Sequence, residues 1–235
     1  MSGNLGLYEA SDWDRVLENT RHPGGLGLTR RLTELLGIGK TWSVLDIGCG
    51  MGTTAHFVAQ QCSCDVVGID RSHQLLLAAA RKGFLISGDS LNLPFGCGVF
   101  DAVISECSLS LLPDKAGALQ EMHRVLKVGG KLGISDIFLR RRMPIGSGAR
   151  VGVDPCISGA SDLGEYVQLL VQAGFKSCYV EDHSKELMKA AWSVVTAYGT
   201  MEKSLTCLGF SSCDMWREAF KQGRPGYALI VANKP

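Results

Sequence analysis

Along this chain, short apolar runs alternate with segments whose apolar residues recur at helical spacing. Ser43 to Ile47 (SVLDI), Asp65 to Ile69 (DVVGI), Phe84 to Ser87, Phe100 to Ser105 (FDAVIS) and Lys131 to Ile137 (KLGISDI) read as buried strands. Between them, Thr53 to Gln61, Ser72 to Lys82 and Lys115 to Lys127 read as helices. The last is capped by Asp114 and ended by Gly129-Gly130. Strands alternating with helices predict a parallel sheet covered on both faces, an α/β doubly wound fold. Residues 1–40 are expected to be helical, broken at His22-Pro23-Gly24-Gly25, with Leu28, Leu32, Leu35 and Leu36 sharing one face.

Past Ile137 the pattern changes. Residues 139–160 form an irregular stretch, followed by a helix over Leu163 to Ala173 and a strand near Ser177 to Glu181. A long segment of helical period, about 184–222, precedes a final strand at Tyr227 to Ala232 (YALIVA). The expected organisation is a single domain of 235 residues. It would carry an N-terminal helical cover (1–40), a core (41–137) and a second half (138–235) with a helical lid over about 184–222.

Composition narrows the classes. A formal net charge of +1 gives no electrostatic case for a nucleic-acid or membrane-surface partner. No apolar run approaches a membrane span, and the first residues do not resemble a signal peptide, so the expected location is cytoplasmic. Nine cysteines, odd in number and irregular in spacing, read as reduced thiols and not as a disulfide framework.

The segment "VLDIGCGMG" places Gly48, Gly50 and Gly52 between a strand and a helix. Such a turn brings free backbone N–H groups and a partial positive charge to one point, a place for an anion or a polar group. The dinucleotide fingerprint is G-x-G-x-x-G; the spacing here is G-x-G-x-G, which fits a nicotinamide cofactor less well. Asp70 ends the second strand, where a carboxylate can take both hydroxyls of a ribose. Asp89, in "GDSLNLPF", is placed to accept from an adenine amine, and Asp46 can hold the loop or meet an ammonium group. Carboxylate, amine, ribose and adenine together describe S-adenosylmethionine. The plainer alternatives are capping roles for Asp46 and Asp70, a simple turn at Asp89-Ser90, and a small filler at Cys49. His56 and His123 fall in helical patterns and read as packing residues, and Arg140, Arg141 and Arg142 as a solvated run.

Taken in order, "VLDIGCGMG", "VVGID", "GDSLNLPF", "FDAVISE" and "LQEMHRVLKVGGKL" resemble the class I S-adenosylmethionine-dependent methyltransferases, of the kind called methyltransferase domain type 11. The resemblance implies a seven-stranded, mostly parallel Rossmann-like sheet whose last strand, here "YALIVANK", is inserted antiparallel. It implies S-adenosylmethionine as cofactor, S-adenosylhomocysteine as product, and no metal. It would set Asp46, Gly48, Cys49, Gly50 and Gly52 at the methionine end and Asp70, beside Arg71, at the ribose. Asp89, Ser90 and Leu91 would face the adenine, and Glu106 and Cys107 would follow the fourth strand beside the cofactor.

Such a cofactor carries the difficult chemistry, so no acid–base pair is obligatory, and no catalytic residue is named from the sequence. The acceptor is expected to be a small molecule. "CISGA" resembles a segment of arsenite methyltransferases in which a cysteine binds trivalent arsenic, which makes Cys156 a substrate candidate, with Cys107, Cys178, Cys207 or Cys213 as converging thiols. The helix after the glycine loop lacks a cysteine that those enzymes carry nearby. His22 and His183 are further substrate candidates, with local hydrogen bonding as the alternative for each. A C- or O-methyltransferase of a small organic molecule, and a non-catalytic S-adenosylmethionine-binding protein, remain open alternatives.

Overall fold

Seven strands hydrogen-bond into one sheet in the order β3-β2-β1-β4-β5-β7-β6. The computed structural model describes residues 20–79, 84–141, 155–207 and 213–235. In chain order the elements are α1 (Gly25–Leu36), β1 (Ser43–Ile47), α2 (Thr53–Cys62), β2 (Asp65–Asp70), α3 (His73–Ala78) and β3 (Phe84–Ser87). Then come β4 (Phe100–Glu106), a 3-10 turn (Leu109–Leu111), α4 (Lys115–Val125), β5 (Leu126–Leu139), α5 (Pro155–Gly159) and α6 (Leu163–Gln172). The remaining elements are β6 (Lys176–Asp182), α7 (Ser184–Tyr198), α8 (Met201–Cys207), α9 (Cys213–Gly223) and β7 (Pro225–Asn233).

The strand order reverses between β1 and β4, which pair in parallel with Leu45 opposite Val103. That reversal opens a crevice at the carboxyl ends of both strands. β7 lies antiparallel between β5 and β6, the inserted last strand expected at "YALIVANK". β6 consequently runs the same way as β1. The segment from Asp182 to Pro225, holding α7 to α9, therefore leaves and re-enters the sheet on the crevice edge.

Both sheet faces are buried. One carries a cluster around Leu45, Val103, Leu119, Met122 and Phe175, beneath α4 and α6. The other carries Leu28, Leu32, Leu36, Val58, Ile104 and Tyr227, beneath α1 and α2. The expected α1 face is only partly buried: Leu28, Leu32 and Leu36 lie inside, and Leu35 is half-buried. At Gly133 the α1 helix presses so close that an added Cβ would lie 2.8 Å from Leu36 Cδ1.

Several boundaries differ from the sequence expectation. The helix after Asp114 is capped as expected, Asp114 accepting from the Gly117 amide at 2.8 Å, but it stops at Val125. Gly129-Gly130 does not end that helix. The pair lies within β5, where the ladder skips from Phe100–Leu126 to Ala102–Lys131. Gly129 takes φ 78°, the left-handed region open to glycine, and its amide donates to Lys234. The stretch expected to be irregular contains the five-residue helix α5, which includes Cys156. α6 and β7 match their expected positions to within a few residues. The outer parts of the predicted N-terminal cover (1–19), of the helix reaching Lys82 (80–83), of the irregular stretch (142–154) and of the lid (208–212) lie outside the described residues. No described helix is long and apolar enough to cross a membrane.

Candidate functional site

The loop after β1 is shaped by its glycines. Gly48, Gly50 and Gly52 take φ values of 74°, 51° and 72°, a region costly for any residue with a Cβ. A Cβ at Gly48 would lie 2.6 Å from Ser108 Cβ, and one at Gly52 would lie 2.8 Å from Leu85 Cδ1. At Gly50 the nearest atom would be Leu75 Cδ1, at 3.9 Å. Gly48 and Gly52 therefore let the loop pack on the protein, whereas a Cβ at Gly50 would make only an ordinary contact. The amides of Gly48 and Cys49 both donate to the Ile69 carbonyl, fixing the loop onto β2. α2 starts directly after Gly52 with no side-chain cap, so its first amides point into the crevice.

Asp70, at the end of β2, accepts from the Gly50 amide through Oδ2 and from the Ser72 amide through Oδ1, each at 2.8 Å. Each oxygen keeps a lone pair for a ligand. Asp46 is buried, and its Oδ2 has no hydrogen-bond partner. Burial, reinforced by the nearby Glu106 and Asp70 carboxylates, holds its carboxyl well above the usual range. Thr53 Oγ1 and Ser90 Oγ are likewise buried without partners. The orphaned atoms of Asp46 and Thr53, on either side of the glycine loop in sequence, are what a polar ligand would satisfy there. Cys49 Sγ packs 2.8 Å from where a Gly68 Cβ would stand, and burial pushes its thiol up, so it fills space in the loop.

On the far side, Asp89 Oδ1 accepts from the Leu91 amide at 3.0 Å, and its Oδ2 lies 3.9 Å from Arg71 Nε. This is a turn with an exposed rim, in which Leu91 is a partly exposed apolar wall.

The polar centre at the end of β4 is denser than the sequence suggested. Glu106 is buried and accepts from Thr54 Oγ1 at 2.7 Å, Thr29 Oγ1 at 3.0 Å and Ser135 Oγ at 3.2 Å. His22, also buried, sets Nε2 3.3 Å from Glu106 Oε2 and Nδ1 3.2 Å from the Pro23 carbonyl. Nε2 also lies 3.4 Å from Thr29 Oγ1. One acid thus ties together the N-terminal segment, the first turn of α2 and β5. The network continues from Ser135 Oγ, which accepts from Tyr227 Oη at 3.0 Å, to Cys107 Sγ, 3.2 Å from Tyr227 Oη. Cys107 stands at φ 48°, an uncommon backbone for a residue with a side chain, at the crevice end of β4. Thr29, Thr54, Ser135 and Tyr227 were not singled out in the sequence; isolated hydroxyls carry no spacing signal.

The other substrate candidates separate. Cys156 is not open to the crevice: it is buried in the apolar cluster with Leu139, Ile157 and Tyr227, against which Cys107 packs. The Tyr166 hydroxyl donates to the Ile137 carbonyl at 3.1 Å. Cys178 packs on the opposite sheet face, so it does not converge with Cys156. The side chains of Cys207 and Cys213 lie outside the described residues. His183 Nε2 sits 3.0 Å from Glu181, which is already held by Arg31 and Tyr179, in a cluster joining β6 to α1.

Comparison with known proteins agrees with this layout. A family model described as "Methyltransferase domain" matches residues 45–134. The chain is 29% identical over 225 residues to methyltransferase GfsG of Streptomyces halstedii, covering 90% of this chain and 81% of the relative. It is 28% identical over 227 residues to the 27-O-demethylrifamycin SV methyltransferase of Amycolatopsis mediterranei, covering 88% and 83%. An arsenite methyltransferase of Halobacterium salinarum is 28% identical over 165 residues, covering 62% of this chain and 41% of that protein. Among solved structures, the Haemonchus contortus phosphoethanolamine N-methyltransferase 2 in complex with S-adenosyl-L-methionine superposes with a TM-score of 0.75 at 18% identity. That superposition covers 98% of this chain but 57% of the larger one. The fold, the order of the motifs and the matching relatives agree in supporting a class I S-adenosylmethionine-dependent methyltransferase, with the methyltransferase domain at residues 45–134.

Proposed function

We propose that the protein transfers the methyl group of S-adenosylmethionine to a hydroxyl oxygen of a small organic acceptor. The observation that carries this reading is the polar network at the end of β4. Beside the cradle lies a buried acid that accepts from three hydroxyls and stands beside a histidine, and among the described residues no ring of converging thiols. Similarity over most of both chains to an enzyme named for methylating an oxygen supports it.

In this reading the first α2 amides face the methionine carboxylate, Gly50 lets the ligand approach the backbone, and Asp46 meets the ammonium group with its orphaned oxygen. Asp70 binds the ribose, and Asp89, Ser90 and Leu91 flank the adenine. When bound, the cofactor supplies an electrophilic methyl carbon on a sulfonium. The protein's part is to align the acceptor, exclude water and accept a proton. The N-terminal segment around His22 and the helices α7 to α9 act as the cover, because both stand at the crevice edge and such covers gate access.

A second reading, methylation of thiol-bound arsenite, is favoured by one observation: Cys107 packs against the same apolar cluster that buries Cys156. Turnover of methyl-labelled cofactor separates the two. The panel would contain phenols, sugar alcohols and macrocyclic alcohols, phosphoethanolamine, and arsenite with excess thiol. Label recovered on an oxygen is the expected result. Label on nitrogen or arsenic alone overturns the hydroxyl reading, and tight cofactor binding without any turnover leaves a non-catalytic binding protein.

A further inference from the structure

The segment α7 to α9 leaves the sheet at one place and returns at another, and one residue grips both. Arg140 directly follows the last residue of β5. Its Nη2 donates to Asp182 Oδ2 at 2.7 Å and to Ser184 Oγ at 2.9 Å, where β6 gives way to α7. Its backbone N–H donates to the Gly223 and Arg224 carbonyls at 3.0 and 3.3 Å, where α9 gives way to β7. The Arg141 N–H adds a bond to Gly223 at 3.1 Å. The side chain of Arg140 holds the way out of the sheet, and its main chain holds the way back. The solvated run expected from the sequence is, at this position, a clamp between two segments far apart in the chain.

An exposed ion pair by itself contributes little, and Arg140 and Asp182 are both exposed. Here the neighbours fix its geometry. The guanidinium carbon lies 5.0 Å from the centre of the buried Phe138 ring, which orients the group that meets the acid. Ser184 Oγ donates to Asp182 Oδ1 at 2.5 Å and accepts from Arg140 and from the Tyr227 amide, the latter at 3.3 Å. Its proton and both lone pairs are thereby used. Burial raises the Asp182 carboxyl, but its contacts with Ser184 and Arg140 outweigh this and hold it at about 2, against an ordinary 3.8. The turn into α7 is tied to β5 and β7 together.

We propose that Arg140 is a positioning residue for methyl transfer: by pinning both roots of the α7–α9 segment to the end of β5, it sets how often this cover opens, and so how fast ligands enter and leave the crevice. This rests on the reading of α7 to α9 as the cover. Arg140 lies beyond the β5 ladder, so its main chain is held by what its side chain grips, and both roots loosen when that grip is lost. In this scheme Arg140 touches neither cofactor nor acceptor and acts through the cover alone. Its mark is therefore kinetic. With the roots loosened, entry and release both quicken, and their ratio, the affinity, stays where it was.

Hydrogen exchange read by mass spectrometry and stopped-flow binding of S-adenosylhomocysteine test this on the full chain without any acceptor. In wild type, S-adenosylhomocysteine should slow exchange in α7 by about threefold or more. In Arg140→Gln, exchange over 183–187 and at the 140 and 141 amides should rise together by about fivefold, with β1 and β4 unchanged. Association and release of S-adenosylhomocysteine should each quicken by a similar factor, while the calorimetric affinity stays within about twofold. Asp182→Asn should act alike, the double variant should exceed neither single one, and Arg140→Lys should recover part of the loss. Release that quickens alone, with affinity lost in proportion, makes Arg140 a plain support of the site and overturns the proposal. Binding rates unchanged in Arg140→Gln, where S-adenosylhomocysteine still slows exchange in wild-type α7, overturn the proposal and leave the cover reading standing. If wild-type α7 does not respond to S-adenosylhomocysteine, the cover reading itself fails, and the role of Arg140 falls with it.

Discussion

Asp70 Oδ2 and the Gly50 amide meet at 2.8 Å, so the acid proposed to bind the ribose also holds the loop proposed to bind the methionine end. The two halves of the cradle are one mechanical unit. Replacing Asp70 with Ala would remove a ligand contact and release the loop at the same time. Asn keeps an oxygen for Gly50 while losing the charge. By calorimetry, Asp70→Asn should weaken S-adenosylmethionine binding by about 1.5–3 kcal/mol and Asp70→Ala by more. Equal, unchanged affinities in both folded variants would remove Asp70 from the site.

The glycines should divide by what surrounds them. A Cβ at Gly50 clashes with nothing, its nearest atom being Leu75 Cδ1 at 3.9 Å, so the cost of Gly50→Ala to folding should be limited to left-handed strain of about 1–2 kcal/mol, while S-adenosylmethionine affinity collapses. Gly48→Ala adds a clash with Ser108 to the same strain and should lower the urea midpoint further. A Gly50→Ala protein that binds the cofactor normally would show that the ligand does not approach this backbone.

Asp46 gives the cradle a proton signature. Burial and two neighbouring carboxylates hold its carboxyl high, and an incoming ammonium group favours its ionised form. Ligand binding should therefore release a proton, and affinity should rise with pH until Asp46 is already ionised in the free protein. Calorimetry in two buffers of different ionisation heat counts that proton. Wild type should release it and Asp46→Asn should not. No difference between the two buffers for wild type would place the ammonium group elsewhere.

At the edge of the sheet, Arg31 holds Glu181 at a pKa of about 2, against an ordinary 4.5. An acid depressed in the folded state stabilises fully above its unfolded value and loses that contribution as pH falls through the folded one. Glu181→Gln should melt below wild type at neutral pH, and the gap should close between pH 4.5 and about 2. A gap independent of pH would assign the effect to packing.

The cradle was legible because its parts are local or periodic. Gly48, Gly50 and Gly52 follow one apolar strand, Asp70 ends the next, and Asp114 precedes a helical period. The start of β5 was not legible, because Val125, Leu126 and Val128 continue an apolar series that suits either period until Gly129-Gly130 bends the ladder. α5 is too short, and too rich in Pro and Gly, to announce itself. Glu106 could be picked out as an acid at a strand end, but its partners His22, Thr29, Thr54 and Ser135 are scattered along the chain. Only the folded sheet brings them to one carboxylate. Cys156 was expected to line a cavity from a short resemblance, and the packing of α5 buries it.

The place of β7 has a consequence for how the chain reaches this state. β6 pairs with β7 and with no other described strand, and β7 is separated from it by the whole span of α7 to α9. During folding, the β1–β5 half can assemble from contacts near in sequence, whereas β6 must wait for a distant partner to slot in beside β5. Until then the β5 edge stays open, a template on which β7 of another copy can dock. Amide protection during refolding should therefore appear in β6 and β7 together and after β1 and β4, and swapped dimers should form when refolding is crowded. The same late strand carries Tyr227, so the link between Cys107 and Ser135 closes only when the sheet does.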